Sequence, residues 1–149
     1  MFGKKQGYKK HKNMRIDTLI GEKTHVEGDI IFSGGLRIDG KVNGNIYIDS
    51  DDQAVLSLSE RGIINGEIRV PYLLINGEVN GNIYASQHLE LSSAARVTGN
   101  IFYQTLEMAI GSEVNGQMIH ITADQAAETL QIDSSSNDDK LSLPLEKQD

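Results

Sequence analysis

The segment Val42-Asn43-Gly44-Asn45-Ile46 is one of six copies of a five-residue phrase. In each copy a central glycine has a polar residue on either side, and an apolar residue begins and ends the phrase. The other copies are centred on Gly28, Gly66, Gly81, Gly99 and Gly116, so successive glycines are 16, 22, 15, 18 and 17 residues apart. A repeat of this length is typical of a solenoid, in which each unit buries its apolar side chains against its neighbours. The phrase therefore predicts a stack of similar units with two open ends.

Apolar and polar residues alternate over residues 16–121, which is the period of a β-strand with one buried face. Each repeat adds a second alternating segment, such as Leu36-Arg37-Ile38. One repeat thus supplies two or three short strands, separated by corners of Gly, Asn, Asp or Ser. The helical period of about 3.6 residues is absent from this region.

Two all-β folds fit this alternation. Five Asn-Gly pairs are a common signal of two-residue hairpins and favour an antiparallel meander. The pairs Asn76-Gly77 and Asn80-Gly81, however, leave only two residues between them, and two tight hairpins cannot share so short a strand. Asn and Gly also tolerate the positive φ that polygonal corners need. We therefore expect a single-stranded parallel β-helix of about six coils.

Two local departures from the repeat are visible. The 22-residue gap between Gly44 and Gly66 predicts an insertion at residues 47–54, forming an acidic loop on one face. After Ile121 the alternation stops, and Thr122 followed three residues later by Gln125 is a capping-box pattern. This pattern predicts a short helix that reaches Leu130.

Charge is distributed unevenly along the 149 residues. Residues 1–15 carry six basic groups and no acid, residues 16–121 have a net charge of −8, and residues 122–149 have a net charge of −5. We expect a disordered basic arm (1–15), a β-helix (16–121) and an acidic, mostly disordered tail (122–149). Without cysteine the chain has no disulfide or thiolate chemistry. Neither a secretory signal nor a membrane span is apparent, so we expect the protein in the cytoplasm.

Nothing in the sequence predicts catalysis, a cofactor or a metal site. The four histidines show no metal-ligand spacing, and we expect His88 and His120 to be solvated strand residues. The sharpest enzyme alternative is a β-helical acyltransferase, whose left-handed coil needs a small apolar residue at every sixth position. Counted from Val26, that frame reaches Gly44 and Ser50 and fails. A non-polymerising binding module is a further alternative.

The basic arm has three interpretations: a solubilising tail, a nucleic-acid contact and a membrane contact. The acidic body would repel phosphates, which argues against nucleic acid. Phe2 can enter the headgroup boundary while five lysines face anionic lipid, each basic residue contributing about 1 kcal/mol. Burial of one Phe adds about 1.5–3 kcal/mol before ordering costs. The lysines are Lys4, Lys5, Lys9, Lys10 and Lys12.

Residues 20–46 closely resemble the opening of bactofilins, which are bacterial cytoskeletal proteins. The resemblance extends from about Leu19 to Ile121, and residues 1–5 look like the family's membrane-targeting segment. It implies a right-handed, roughly triangular β-helix that polymerises end to end without nucleotide into non-polar filaments. It also implies a scaffold for cell-wall or morphogenesis proteins on the inner face of the cytoplasmic membrane. The motifs that carry the resemblance are Gly28-Asp29-Ile30, Leu36-Arg37-Ile38-Asp39-Gly40 and Gly44-Asn45-Ile46.

The open ends of the solenoid predict where the polymer contacts lie. A terminal coil without a cap presents unpaired backbone groups and apolar side chains. We therefore expect contacts between copies of the chain through the first and the last coil. The residues concerned are Ile20, Val26, Ile30 and Phe32 at the first end, and Leu106, Met108, Ile110, Val114 and Met118 at the other.

Overall fold

A computed structural model describes residues 15–126 of the chain. Its eighteen strands form three six-stranded sheets in which every pairing is parallel. Consecutive strands belong to different sheets, so three strands make one coil and six coils stack along one axis. The predicted all-β helix is confirmed and the antiparallel meander is wrong. The right-handedness of the β-helix is implied only by the resemblance to bactofilins.

The strands are short and regular, because a corner follows every two to four residues of strand. The first three coils contain β1 (Thr18–Ile20), β2 (His25–Glu27), β3 (Ile30–Phe32), β4 (Gly35–Ile38), β5 (Lys41–Asn43), β6 (Ile46–Ile48), β7 (Val55–Leu58), β8 (Ile63–Asn65) and β9 (Ile68–Arg69). The last three contain β10 (Tyr72–Ile75), β11 (Glu78–Asn80), β12 (Ile83–Ala85), β13 (His88–Leu91), β14 (Arg96–Thr98), β15 (Ile101–Tyr103), β16 (Leu106–Met108), β17 (Glu113–Asn115) and β18 (Met118–His120).

The core consists of columns of like side chains that run along the axis. In the second sheet Val42, Ile64 and Val79 lie in register on successive coils, and all three are completely buried. Corresponding columns of Ile and Leu occupy the other two sheets. The alternation in the sequence sends these residues inward and the polar residues between them outward. The core therefore lengthens with each coil.

The glycine of each phrase forms the corner between the second and the third sheet. A Cβ on Gly44 would lie 2.0 Å from the carbonyl oxygen of Gly28, and a Cβ on Gly99 would lie 2.2 Å from that of Gly81. No side chain fits at such a distance from backbone, so the close approach of the coils requires glycine. Gly28 is the exception, because no coil precedes it and its Cβ position has nothing within 4 Å.

The polar residues beside the glycines tie neighbouring coils together. Asn65 Nδ2 donates to Asn43 Oδ1 at 2.8 Å, and Asn80 Nδ2 donates to Asn65 Oδ1 at 2.8 Å. On the other side of the glycine, Asn45 Oδ1 accepts from the backbone N–H of Glu67 at 2.9 Å. These ladders satisfy polar groups along the corner and explain why Asn recurs there.

The predicted insertion is a six-residue corner at residues 49–54. Asp51 holds it in place, since Asp51 Oδ2 accepts from the backbone N–H of Gly34 at 2.8 Å and Asp51 Oδ1 from that of Gln53 at 2.9 Å. Ala54 ends the corner and is fully buried. The insertion is confirmed, but it is shorter than expected because Tyr47 and Ile48 remain in β6.

A single helical turn follows the last strand at residues 123–126. The backbone N–H of Thr122 donates to Gln125 Oε1 at 2.8 Å, and that of Gln125 donates to Thr122 Oγ1 at 3.2 Å. This reciprocal pair confirms the capping box. The predicted extension to Leu130 lies outside the described residues, as do the states predicted for most of the arm and the tail.

Candidate functional site

The first coil leaves apolar side chains uncovered at one end of the stack. Three of its inward residues are only partly buried, whereas their register partners on the second coil are completely buried. Phe32 is better covered, at 9% exposure. The partly buried residues and their partners are Ile20 with Ile38, Val26 with Val42, and Ile30 with Ile46.

The last coil is open in the same way. Leu106 and Val114 are partly buried, and Met108 is 45% exposed although its register partner Leu91 is completely buried. Met118 is also partly buried, in register with Ile101 of the fifth coil. The structure therefore places four of the five residues predicted at this end in inward-facing columns.

Ile110 has a different position from the other predicted end residues. It lies in the corner at residues 109–112, between β16 and β17, and its side chain is 96% exposed. Because its side chain is almost fully exposed, Ile110 does not continue a core column. It remains a candidate contact at the rim of the last coil.

Among the described residues, the terminal strands at both ends also have one edge that is not paired with another strand. Strands β1, β2 and β3 pair only with the second coil, and β16, β17 and β18 only with the fifth. Within residues 15–126, no other segment pairs with these outer edges. Unpaired edges of this kind are templates for further strand pairing. The geometry therefore offers two apolar, hydrogen-bonding ends on one rod.

The outer face of the third sheet carries a row of aromatic side chains. The rings of Tyr84 and Phe102 stack with centroids 4.6 Å apart, and the guanidinium of Arg69 lies 4.0 Å from the centroid of Tyr84. Burial raises the pKa of the Tyr84 hydroxyl, the nearby Glu67 carboxylate raises it further, and Arg69 opposes both. These contacts stabilise the stacking of the third, fourth and fifth coils on their outer face.

A depression of about 450 Å³ lies on the outer face of the first sheet. Four of the charged groups that line it form two ion pairs, with Arg37 2.9 Å from Asp39 and Arg61 3.6 Å from Glu22. Neither histidine nor cysteine is among the residues that line it. The depression therefore lacks the histidine that would serve as the base in the acyltransferase alternative.

The sequence predicts no metal site, but the structure brings together three residues that could hold a metal ion, His88, Glu90 and Glu107. Ligand atoms of His88, Glu90 and Glu107 all lie within 4.8 Å of one another. His88 is partly buried rather than solvated, and its Nδ1 bonds to Thr105 Oγ1. The available signal was the spacing of one coil, because Glu107 follows Glu90 by one repeat and lies beside it in register.

The predicted lipid-binding residues Phe2, Lys4, Lys5, Lys9, Lys10 and Lys12 lie outside the described residues. Within residues 15–126, no helix is long and apolar enough to cross a bilayer.

Comparison with known proteins agrees with the resemblance noted from the sequence. A family model described as Bactofilin, polymer-forming cytoskeletal, matches residues 18–119. No curated protein and no solved structure matches the chain. The matched segment exceeds half of the chain and spans the coil stack from β1 almost to the end of β18. The chain belongs to the bactofilin family of polymer-forming cytoskeletal proteins.

Proposed function

We propose that this bactofilin polymerises end to end through its first and last coils, without nucleotide. The filaments are non-polar and lie on the cytoplasmic face of the membrane, where they scaffold cell-wall or morphogenesis proteins. The observation that supports this proposal is the open core at the two ends. Ile20 and Val26 are only partly buried and Met108 is 45% exposed, whereas the residues of the same columns in the coils between them are buried. A terminal coil of a stable solenoid normally has a cap, and a second copy of the chain can act as one.

The two ends also decide the symmetry of the filament. In a non-polar filament the first coil of one subunit meets the first coil of the next, and last coils meet last coils. Such contacts are isologous, with each residue facing the same surface of its partner. A head-to-tail filament would instead join a first coil to a last coil and continue the parallel pairing.

Single-cysteine variants distinguish these arrangements, because the natural chain contains no cysteine. Glu27 on β2 and Glu113 on β17 mark the two ends of the second sheet, and Glu78 on β11 marks its middle. In non-polar filaments, Glu27→Cys and Glu113→Cys should each give covalent dimers with a short bismaleimide, whereas Glu78→Cys should not. Cross-linking that requires a mixture of Glu27→Cys and Glu113→Cys would show head-to-tail assembly instead. If neither variant cross-links above the level of Glu78→Cys, the end contacts are wrong.

We further propose that residues 1–12 attach the filament to anionic lipid, with Phe2 as the apolar anchor. One arm binds only weakly, since five lysines contribute about 1 kcal/mol each against the cost of ordering the arm. Many arms on one polymer bind strongly through their high effective concentration.

Deletion of residues 2–8 tests the arm, with co-sedimentation on anionic vesicles as the assay. Phe2→Ala, with all five lysines kept, separates the apolar contribution from the charge. Binding that survives the deletion undiminished would show that the arm is not the membrane anchor. A variant that polymerises normally but no longer sediments with vesicles would support both parts of the proposal.

A further inference from the structure

The cluster of His88, Glu90 and Glu107 lies on the outer face of the first sheet, where the fifth coil meets the sixth. His88 and Glu90 lie two residues apart on β13 and point to the same side, while Glu107 occupies the neighbouring position on β16. Their ligand atoms come within 4.8 Å of one another. The parallel register therefore brings together one imidazole and two carboxylates from residues far apart in sequence.

The hydrogen bonding of Thr105 orients the imidazole toward this cluster. The Thr105 hydroxyl donates its proton to the carbonyl oxygen of Gln87 at 2.9 Å. Its oxygen is therefore available to accept from Nδ1–H of His88, with which it is in contact. A neutral His88 ring with its proton on Nδ1 carries its lone pair on Nε2. Such a bond from the other ring nitrogen is the usual support of a metal-binding histidine.

The pairing of Glu90 with Glu107 is also unusual for this fold. Among the strand registers of residues 15–126, this is the one position at which two carboxylates are direct partners. In the second sheet, by contrast, Arg96 lies between Glu78 and Glu113. Like charges directly opposite each other in a sheet are destabilising, and a bound cation removes that repulsion.

We propose that His88, Glu90 and Glu107 bind one divalent transition-metal ion that joins the fifth coil to the sixth. Three protein ligands leave a fourth, open position on a tetrahedral ion, and imidazole combined with carboxylate suits zinc and its neighbours. Ligand atoms around such an ion lie about 3.4 Å apart, so any pair separated by up to 4.8 Å must move closer together. Glu107 is exposed and can rotate to achieve this.

The position of the site gives it a consequence for assembly. Glu107 stands between Leu106 and Met108, two residues of the open last coil. A metal ion held across Glu90 and Glu107 fixes β16 against β13 and so orders the surface that a neighbouring subunit would meet. This step depends on the proposed function, but metal binding itself does not.

Zinc titration of the full chain tests the site, at about pH 8, where an ordinary imidazole is neutral. A chromophoric zinc indicator as competitor gives stoichiometry and affinity. We expect one zinc ion per chain, with affinity at least tenfold lower in His88→Gln and in Glu107→Gln. Thr105→Val keeps the shape of the side chain and should also weaken binding, about tenfold, because the imidazole loses its support.

Glu113→Gln is the matched control, since it removes a carboxylate from the same coil, 3.9 Å from Arg96. His25→Gln controls for an exposed His–Glu pair, in which His25 Nε2 lies 2.7 Å from Glu27 Oε2. Both controls should bind zinc as the natural chain does. Absence of a stoichiometric site would overturn the proposal, and so would equal losses in Glu113→Gln and Glu107→Gln. A further overturning result is an NMR spectrum in which His88 stays an imidazolium between the carboxylates with zinc present.

Metal binding and polymerisation fail separately in these experiments. If zinc binds but filaments form equally with and without it, the site stands and its link to the end contact is wrong. If zinc does not bind and filaments form normally, the proposed function stands without the site.

Discussion

Replacing Met108 with arginine separates folding from assembly. In the single chain Met108 is 45% exposed, so an arginine there can extend its charged head into water while its stem covers Leu91. In a contact between last coils the same head is buried without a partner, which costs about 3–5 kcal/mol. Since about 1.4 kcal/mol corresponds to a tenfold change, the contact should weaken by roughly two to three and a half orders of magnitude.

The expected product of Met108→Arg is a dimer joined through first coils, because a non-polar filament loses only its last-coil contact. Ile20→Arg should give the reciprocal dimer, and the double variant should be a monomer. Phe32→Arg is a less selective probe, since Phe32 is only 9% exposed and its replacement also damages the core. Sedimentation velocity measures the species, and electron microscopy shows whether filaments remain.

Ile119→Arg is the control for an added charge on the same coil. Ile119 lies on the outer face of β18 beside Phe102, so its replacement should leave filaments intact. The reasoning is refuted if Met108→Arg has the circular dichroism spectrum of the natural chain and polymerises at an unchanged critical concentration. A monomeric product would instead indicate head-to-tail assembly.

Three further predictions concern the rod itself. Gly99→Ala places a Cβ 2.2 Å from the carbonyl oxygen of Gly81, at a residue whose φ is 148°. Urea unfolding should therefore show that the free energy of unfolding falls by about 2–4 kcal/mol. Gly21→Ala is the control, because nothing lies within 4 Å of its Cβ position, and it should change the free energy of unfolding by less than about 1 kcal/mol. Ser86→Ala removes a buried hydroxyl that has no hydrogen-bond partner among residues 15–126, and urea unfolding should find the variant as stable or up to about 1 kcal/mol more stable. Because burial raises the pKa of Tyr84 above its ordinary 10.0, the folded state holds that proton longer than the unfolded one. The resulting stability is complete below pH 10 and is lost as pH rises through the raised pKa. Melting curves recorded over about pH 9–12 should show a smaller loss of stability in Tyr84→Phe than in the natural chain, because burial also raises the pKa values of Tyr47 and Tyr72.

The stack of coils could be predicted because two local rules agree. Alternation determines which face of each strand is buried, and the spacing of Asn76-Gly77 from Asn80-Gly81 excludes hairpins. The hand of the coil could not be predicted in this way, since alternation is the same for either hand. The corner at residues 49–54 was located to within two residues, because its exact start depends on the hydrogen bonds of Asp51.

Candidate site residues were predictable only where they continue a core column. Val26 and Met118 follow the repeat and lie at the ends, as expected. Ile110 is apolar, but it lies in a four-residue corner, and the corner breaks the alternation that would show which way its side chain points. The cluster of His88, Glu90 and Glu107 was missed because its members come together through the register of neighbouring coils, whereas metal motifs are usually sought along the chain.

The glycine corner also limits how such a chain can change during evolution. A Cβ on Gly44 or Gly99 would meet the backbone of the previous coil, so there is no room for a side chain between the coils at that corner. One inserted residue within a strand would turn its buried side chains outward. Gains and losses of length are therefore tolerated either as a whole repeat or at a solvent-facing corner, as at residues 49–54. Duplication of a complete coil lengthens the rod and leaves both of its ends unaltered.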